Sequence, residues 1–149
     1  MNVGDTAPDF QLPDQDGIPR RLGDLLAEGP VVLFFYPAAM TRGCTAEACH
    51  FRDLGAEFAA VGAQRVGISA DSVDRQARFA AEHGFDYPLL SDPDGAVAAA
   101  FGVRRAGRLP NKRTTFVIGT DGTVLDVITS EMSMEVHADQ ALELLRTAA

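Results

Sequence analysis

The sequence predicts an α/β fold, a mixed central β-sheet flanked by helices in a sandwich. Three observations predict it. Two apolar runs, Val31-Val32-Leu33-Phe34-Phe35-Tyr36 and Thr114-Thr115-Phe116-Val117-Ile118, have the length and the β-branched or aromatic content of buried strands. Amphipathic helical patterns lie between the strand candidates, so βαβ units are expected. Asp121-Gly122 is a two-residue turn signal followed by Val124-Leu125-Asp126-Val127-Ile128, which predicts a hairpin over 114–128 and an antiparallel edge.

Taken in order, the segment from Phe10 to Leu26 is rich in Pro, Asp and Gly and reads as a small hairpin followed by one helical turn, an N-terminal β-hairpin extension. The strand Val31 to Tyr36 leads through a loop into a helix expected from about Cys44 to Val61. Arg65 to Ser69 is a shorter strand candidate. A helix from about Ser72 to His83 follows, with His83 before Gly84 placed at its C-terminal end. Asp92-Pro93-Asp94-Gly95 reads as a turn feeding a helix around Ala96 to Phe101, and the last helix runs from His137 to Leu145. Periodicity does not give the strand order; the thioredoxin-like architecture is one member of this class.

At 149 residues the chain is read as a single domain, 1–149, long enough to bury roughly 70% of the surface of its unfolded form. Hydrophobic residues make up 46% and charged residues 23%, which argues against disorder, collagen and coiled coil. Lys and Arg number 13 against 21 Asp and Glu, a formal charge of −8. That balance repels phosphate backbones and anionic lipid, so no nucleic-acid or membrane partner is expected, and the acidic residues are read mostly as a solvated face. The start, Met1-Asn2-Val3-Gly4-Asp5, has no basic and apolar secretory pattern, and no apolar run approaches the ~20 residues of a membrane span. A cytoplasmic location is expected, where thiols stay reduced.

The 2 cysteines, Cys44 and Cys49, lie close together, a pattern more often catalytic, redox-sensing or metal-binding than structural in such a compartment. At ~100° per residue, Leu54, Phe58 and Val61 fall on one side with Phe51, Cys44 lands about 20° from Phe51, and Cys49 about 160° away. Cys44 is therefore expected on the buried face and Cys49 on the solvent face. Five residues apart on a helix, α-carbons are separated by roughly 8–9 Å, beyond the ~7 Å limit of a disulfide. Pairing requires at least one turn to unwind; otherwise the two thiols are unrelated. Cys44 also opens its helix, where free N–H groups and the positive dipole end stabilise an anion.

Pro37-x-x-x-Thr41-x-x-Cys44 matches the motif Pro-x-x-x-Thr/Ser-x-x-Cys, and the run from Phe35-Tyr36-Pro37 through Gly43-Cys44-Thr45-Ala46-Glu47-Ala48-Cys49 extends the match. So do Gly4-Asp5-x-Ala7-Pro8-Asp9-Phe10, Tyr87-Pro88-Leu89-Leu90-Ser91-Asp92 and Lys112-Arg113-Thr114-Thr115-Phe116-Val117-Ile118. Over essentially its whole length the chain resembles the peroxiredoxins, in the bacterioferritin comigratory protein or Q-type subfamily, whose fold is a thioredoxin-like sandwich. It departs at Ala38-Ala39-Met40, where many relatives carry Lys-Asp-Asn, and at Arg42, where many carry Pro.

The resemblance implies a thioredoxin-dependent thiol peroxidase of the atypical two-cysteine kind, serving antioxidant defence. Cys44 would attack the O–O bond of hydrogen peroxide or an organic hydroperoxide and become a sulfenic acid. Cys49 would resolve it to an intramolecular disulfide, reduced in turn by thioredoxin or a similar dithiol. Thr41 would hydrogen-bond the peroxide, Pro37 would shield the thiolate, and Arg113 would contact thiolate and peroxide. Arg104, Arg105, Arg108 and Lys112 fit the arginine position less well. Glu47 matches a carboxylate that orients the arginine. No metal or organic cofactor is implied, and a monomer is favoured with a dimer open.

Cys44, Cys49 and His50 do not converge on one helix face, so a metal site is not expected, and His83 and His137 carry no motif of a Cys/His hydrolase. Two other functions stay in view. A thiol–disulfide oxidoreductase normally needs Cys-x-x-Cys, and a non-enzymatic redox switch would be oxidised without turnover.

Overall fold

Strand β3 (Val31–Phe35) is buried over its whole length, and alternation sends its side chains to opposite layers. Val32 and Phe34, with Tyr36 just beyond, pack on one face; Val31, Leu33 and Phe35 pack on the other. The computed structural model describes residues 1–107 and 109–148, so Arg108 lies outside the described residues. Its elements are β1 (Gln11–Pro13), β2 (Pro19–Arg21), α1 (Leu22–Leu26), β3, α2 (Arg42–Asp53), α3 (Gly55–Ala60), β4 (Gln64–Ser69), α4 (Val73–His83), β5 (Leu89–Ser91), α5 (Ala96–Ala100), β6 (Thr114–Ile118), β7 (Val124–Thr129) and α6 (Val136–Ala148).

The main sheet has the order β5-β4-β3-β6-β7, with β4 parallel to β3 and β5, and β6 antiparallel to β3 and β7. β1 and β2 form the expected separate hairpin, whose turn is tied by Asp14: its carboxylate accepts from the Asp16 and Ile18 amides and from Arg20. One apolar layer joins Phe51 of α2, Phe58 of α3, Phe79 of α4 and Ala138, Ala141 and Leu142 of α6 to the sheet. The opposite layer is closed by α1, α5 and Phe101. Phe34 stacks on Phe51 with ring centroids 4.1 Å apart, which seats α2 across the central strand. No helix among the described residues is long and apolar enough to cross a membrane.

The structure departs from the sequence reading in three places. The helix expected from Cys44 to Val61 is two helices, and the first begins at Arg42. It breaks at Leu54 because Arg65 Nη1 donates to the Phe51 and Arg52 carbonyls at 3.0 and 3.5 Å, the acceptors that a continuous helix would use for residues 55 and 56. The late hairpin turns on Thr120, Asp121 and Gly122 rather than on two residues: Gly119 N donates to the Thr123 carbonyl, and Gly122, at φ +85°, donates to the Gly119 carbonyl. β5 was not predicted, being only three residues long behind Pro88. The acidic residues lie mostly outside the core as read, with Asp14, Glu47 and Asp92 buried. The Asp92 carboxylate accepts from the Val97 and Ala98 amides and so starts α5.

Candidate active site

The loop from Pro37 to Thr41 carries the chain from the end of β3 to the start of α2. Its conformation is held from the neighbouring strand end. Ala39 N donates to Asp71 Oδ2 at 2.7 Å, Arg75 Nη2 donates to the Ala39 carbonyl at 3.3 Å, and Asp71 is itself paired with Arg75 and Ser69. Met40 takes φ +65°, a left-handed conformation that a non-glycine residue adopts only when its surroundings impose it. Thr41 is the residue before the first helical turn, yet its hydroxyl donates to the Ala38 carbonyl at 2.7 Å and makes no capping bond. The first turn of α2 has no acidic residue to compete with an anion.

Cys44 sits in that first turn and is 1% exposed, on the buried face as expected. Arg113, immediately before β6, reaches across to it. Its Nη1 donates to Cys44 Sγ at 3.5 Å and to Glu47 Oε1 at 2.8 Å. Burial pushes the Glu47 carboxyl up to about 8, against the pull of the guanidinium. The Arg113 amide is anchored by Glu131 Oε1 at 2.8 Å, which fixes where the side chain departs. The competing cations differ: Arg104 and Lys112 are exposed, and Arg105 pairs with Glu131.

Gly43 is required by this approach. A Cβ there would lie 3.2 Å from Arg113 Nη2 and 3.4 Å from Met134 Sδ. Gly43→Ala is therefore expected to displace the guanidinium and slow peroxide reduction about tenfold, with little loss of helix stability since Ala favours helix. Stopped-flow peroxide decay checks this; wild-type rates would show that the guanidinium tolerates the methyl group.

Cys49 lies on the same unbroken helix, and both cysteines are free thiols. It is half-buried rather than on an open solvent face, because the stretch Met132 to Glu135 folds over it and forms a groove with Ala46 and His50. Burial pushes the Cys49 thiol up, which disfavours its anion. Pro37 is half-buried and lines a separate groove with Ala70 and Asn111. His50 pairs with Asp139 at 2.7 Å, and among the described residues no group of His, Cys, Asp and Glu could hold a metal ion. His83 closes α4 ahead of Gly84, which is left-handed at φ +63°.

Sequence reasoning missed His137. It is fully buried, with Nδ1 2.8 Å from Thr115 Oγ1, Nε2 2.9 Å from the Ser130 carbonyl, and Nδ1 3.6 Å from Glu47 Oε2. A lone histidine at a helix start gives no motif. The one available signal was Thr115, a polar residue inside an apolar strand.

Against this geometry, a model of the AhpC/TSA family matches residues 3–127 of the chain. The chain belongs to the AhpC/TSA family, the peroxiredoxins. It is 68% identical over 149 residues to the Mycobacterium tuberculosis protein Rv1608c, which bears a peroxiredoxin name, covering 98% of this chain and 97% of that one. Identity is 40% to a chloroplastic peroxiredoxin Q of Sedum lineare, covering 99% of this chain and 79% of the relative. The structure matches crystalline peroxidoxin BcpB of Mycobacterium tuberculosis with a TM-score of 0.97 at 65% identity, covering 100% and 99% of the two chains. These relatives place this peroxiredoxin in the Q-type subfamily and its sheet in the thioredoxin-like class. It is a thiol peroxidase, an oxidoreductase that acts on hydroperoxides with a thiol reductant.

Proposed function

We propose that Cys44 is the peroxidatic cysteine and Cys49 the resolving one. The Cys44 thiolate attacks one peroxide oxygen, the O–O bond breaks, and the departing oxygen leaves as hydroxide or alkoxide and takes up a proton. The sulfenic acid of Cys44 then condenses with the Cys49 thiol, releasing water and forming a disulfide that thioredoxin or a similar dithiol reduces. The observation that most supports this is Arg113 Nη1, 3.5 Å from Cys44 Sγ and buried with it. A guanidinium held there stabilises the sulfur anion first and the charge on the departing oxygen next. The Thr41 hydroxyl proton is committed to the Ala38 carbonyl, so its oxygen is left to accept the O–H of the peroxide. Glu47 holds Arg113 in place, and Pro37 screens the approach. The unit that does this is residues 1–149 as one domain.

The assay is NADPH oxidation with thioredoxin, thioredoxin reductase and either hydrogen peroxide or an organic hydroperoxide. Repeated turnover is expected; a single oxidation without turnover would make the protein a redox switch.

Forming the disulfide requires α2 to unwind between the two sulfurs, and that segment is pinned. Tyr87 Oη donates to the Ala48 carbonyl at 2.6 Å in a buried site, one residue before Cys49. Tyr87→Phe removes a bond that stabilises the folded helix by about 1 kcal/mol. Disulfide formation after peroxide addition is therefore expected to be about fivefold faster. Rapid quenching with an alkylating agent measures it, and a slower rate would show that the hydroxyl assists unwinding instead.

A further inference from the structure

Next to Glu47 lie two buried side chains, Thr115 and His137, that the reaction above leaves without a role. Ser130 presents a carbonyl to His137 Nε2 at 2.9 Å, and a carbonyl only accepts, so Nε2 carries the proton of the neutral ring. Nδ1 is then a lone pair. Thr115 Oγ1 lies 2.8 Å from it and can donate, while Glu47 Oε2 lies 3.6 Å away with no hydrogen-bond partner among the described residues. As a carboxylate, Glu47 would leave Oε2 without a donor in a fully buried site, since the Thr115 hydroxyl takes the Nδ1 lone pair; a proton on Oε2, or on Nδ1 with Thr115 turned to accept it beside a carboxylate 3.6 Å away, relieves this.

We propose that Glu47 and His137 hold one proton between them, on one side chain or the other, and that His137 is thereby a positioning residue for Arg113. With the proton on Oε2, Glu47 is neutral and the whole charge of Arg113 faces the Cys44 sulfur. With the proton moved to Nδ1, a carboxylate and an imidazolium form, and the carboxylate draws Arg113 Nη1 toward Oε1. The same atoms thus hold the guanidinium under two different fields, and only the proton's place differs. The inference rests on the reading of Cys44 as the attacking thiolate, because it concerns how Arg113 is presented to that sulfur.

Burial supports this assignment on both sides: it raises the Glu47 carboxyl and lowers the His137 imidazole, so acid and neutral ring coexist near pH 7. The charged and titratable groups facing the pair are Cys44 on α2, Arg113 before β6, Glu131 after β7, and Tyr87 before β5. Glu131 raises both members and Arg113 lowers both, so neither neighbour alone decides which one holds the proton.

The test is infrared difference spectroscopy of the reduced protein, with Glu47→Gln identifying the band. A carboxylic-acid carbonyl band is expected at pH 7, lost in Glu47→Gln, and fading in wild type as pH rises through about 8. His137→Asn is expected to shift the midpoint of that fading. Absence of the band at pH 7, or an unmoved midpoint, overturns the proposal. Should His137→Asn fail to fold, nitrogen NMR of wild type and Glu47→Gln decides: the His137 Nδ1 resonance moves between them if the proton is shared and stays if it is not. Neither readout needs turnover, so a protein that consumes no peroxide would defeat the proposed function while leaving the proton's location measurable.

Discussion

Arg113→Ala is expected to slow the oxidation of Cys44 by hydrogen peroxide about 10²–10³-fold, compared by stopped flow at a pH where the thiolate is saturated in both proteins. The size follows from what ionisation can and cannot supply. An ordinary thiol, with a pKa of ~8.5, is about 3% ionised at pH 7, so complete ionisation gains only ~30-fold, and the weaker nucleophilicity of a less basic thiolate returns part of that. Fast peroxide reduction must draw the rest from placing the peroxide and stabilising the departing oxygen. Arg113 is the group suited to both, since its Nη1 already touches the sulfur while Glu47 fixes its direction. Arg113→Lys is expected to recover only a minor part, because an ammonium lacks the fork that serves sulfur, carboxylate and peroxide together. Equal rates at saturating thiolate would show that Arg113 acts through ionisation alone.

Cys49→Ser should lower steady-state turnover with thioredoxin about 100-fold, while one equivalent of peroxide is still consumed and Cys44 accumulates as sulfenic acid. The reason is geometric. Both cysteines lie on α2 at a spacing that forbids a bridge while the helix is intact, so the disulfide proposed above as the target of the dithiol can form only after unwinding. Without Cys49 the sulfenic acid stays in the buried position of Cys44, which is 1% exposed and poorly reachable by another protein. Further peroxide should then drive it to the sulfinic state, seen as added oxygen on the Cys44 peptide. Unchanged turnover in Cys49→Ser would show that the reductant reaches Cys44 directly.

Much of this was legible in the sequence because the responsible signals are local. The apolar runs Val31 to Tyr36 and Thr114 to Ile118 stand side by side in the sheet, and the helical wheel put Cys44 with Phe51, as found. Helix α4 ends at His83 before Gly84 as read, while Ser72, expected as its first residue, is its cap. What the sequence hid depends on partners distant along the chain. The break at Leu54 comes from Arg65, and Cys49 is covered by a stretch more than 80 residues on. His137 joins the site only because α6 packs against α2 and β6, so no spacing near Cys44 could indicate it. Met40 takes its left-handed φ beside Ala39, whose amide and carbonyl are held by Asp71 after β4 and Arg75 of α4, again distant along the chain.

The most direct test of the central claim is to treat the reduced protein with one equivalent of hydrogen peroxide and map the products by mass spectrometry, with a sulfenic-acid trap present in a parallel sample. Trapped sulfenic acid on Cys44, and a Cys44–Cys49 disulfide in the untrapped sample, are predicted. Sulfenic acid first on Cys49, or peroxide consumed with Cys44 left reduced, would contradict it.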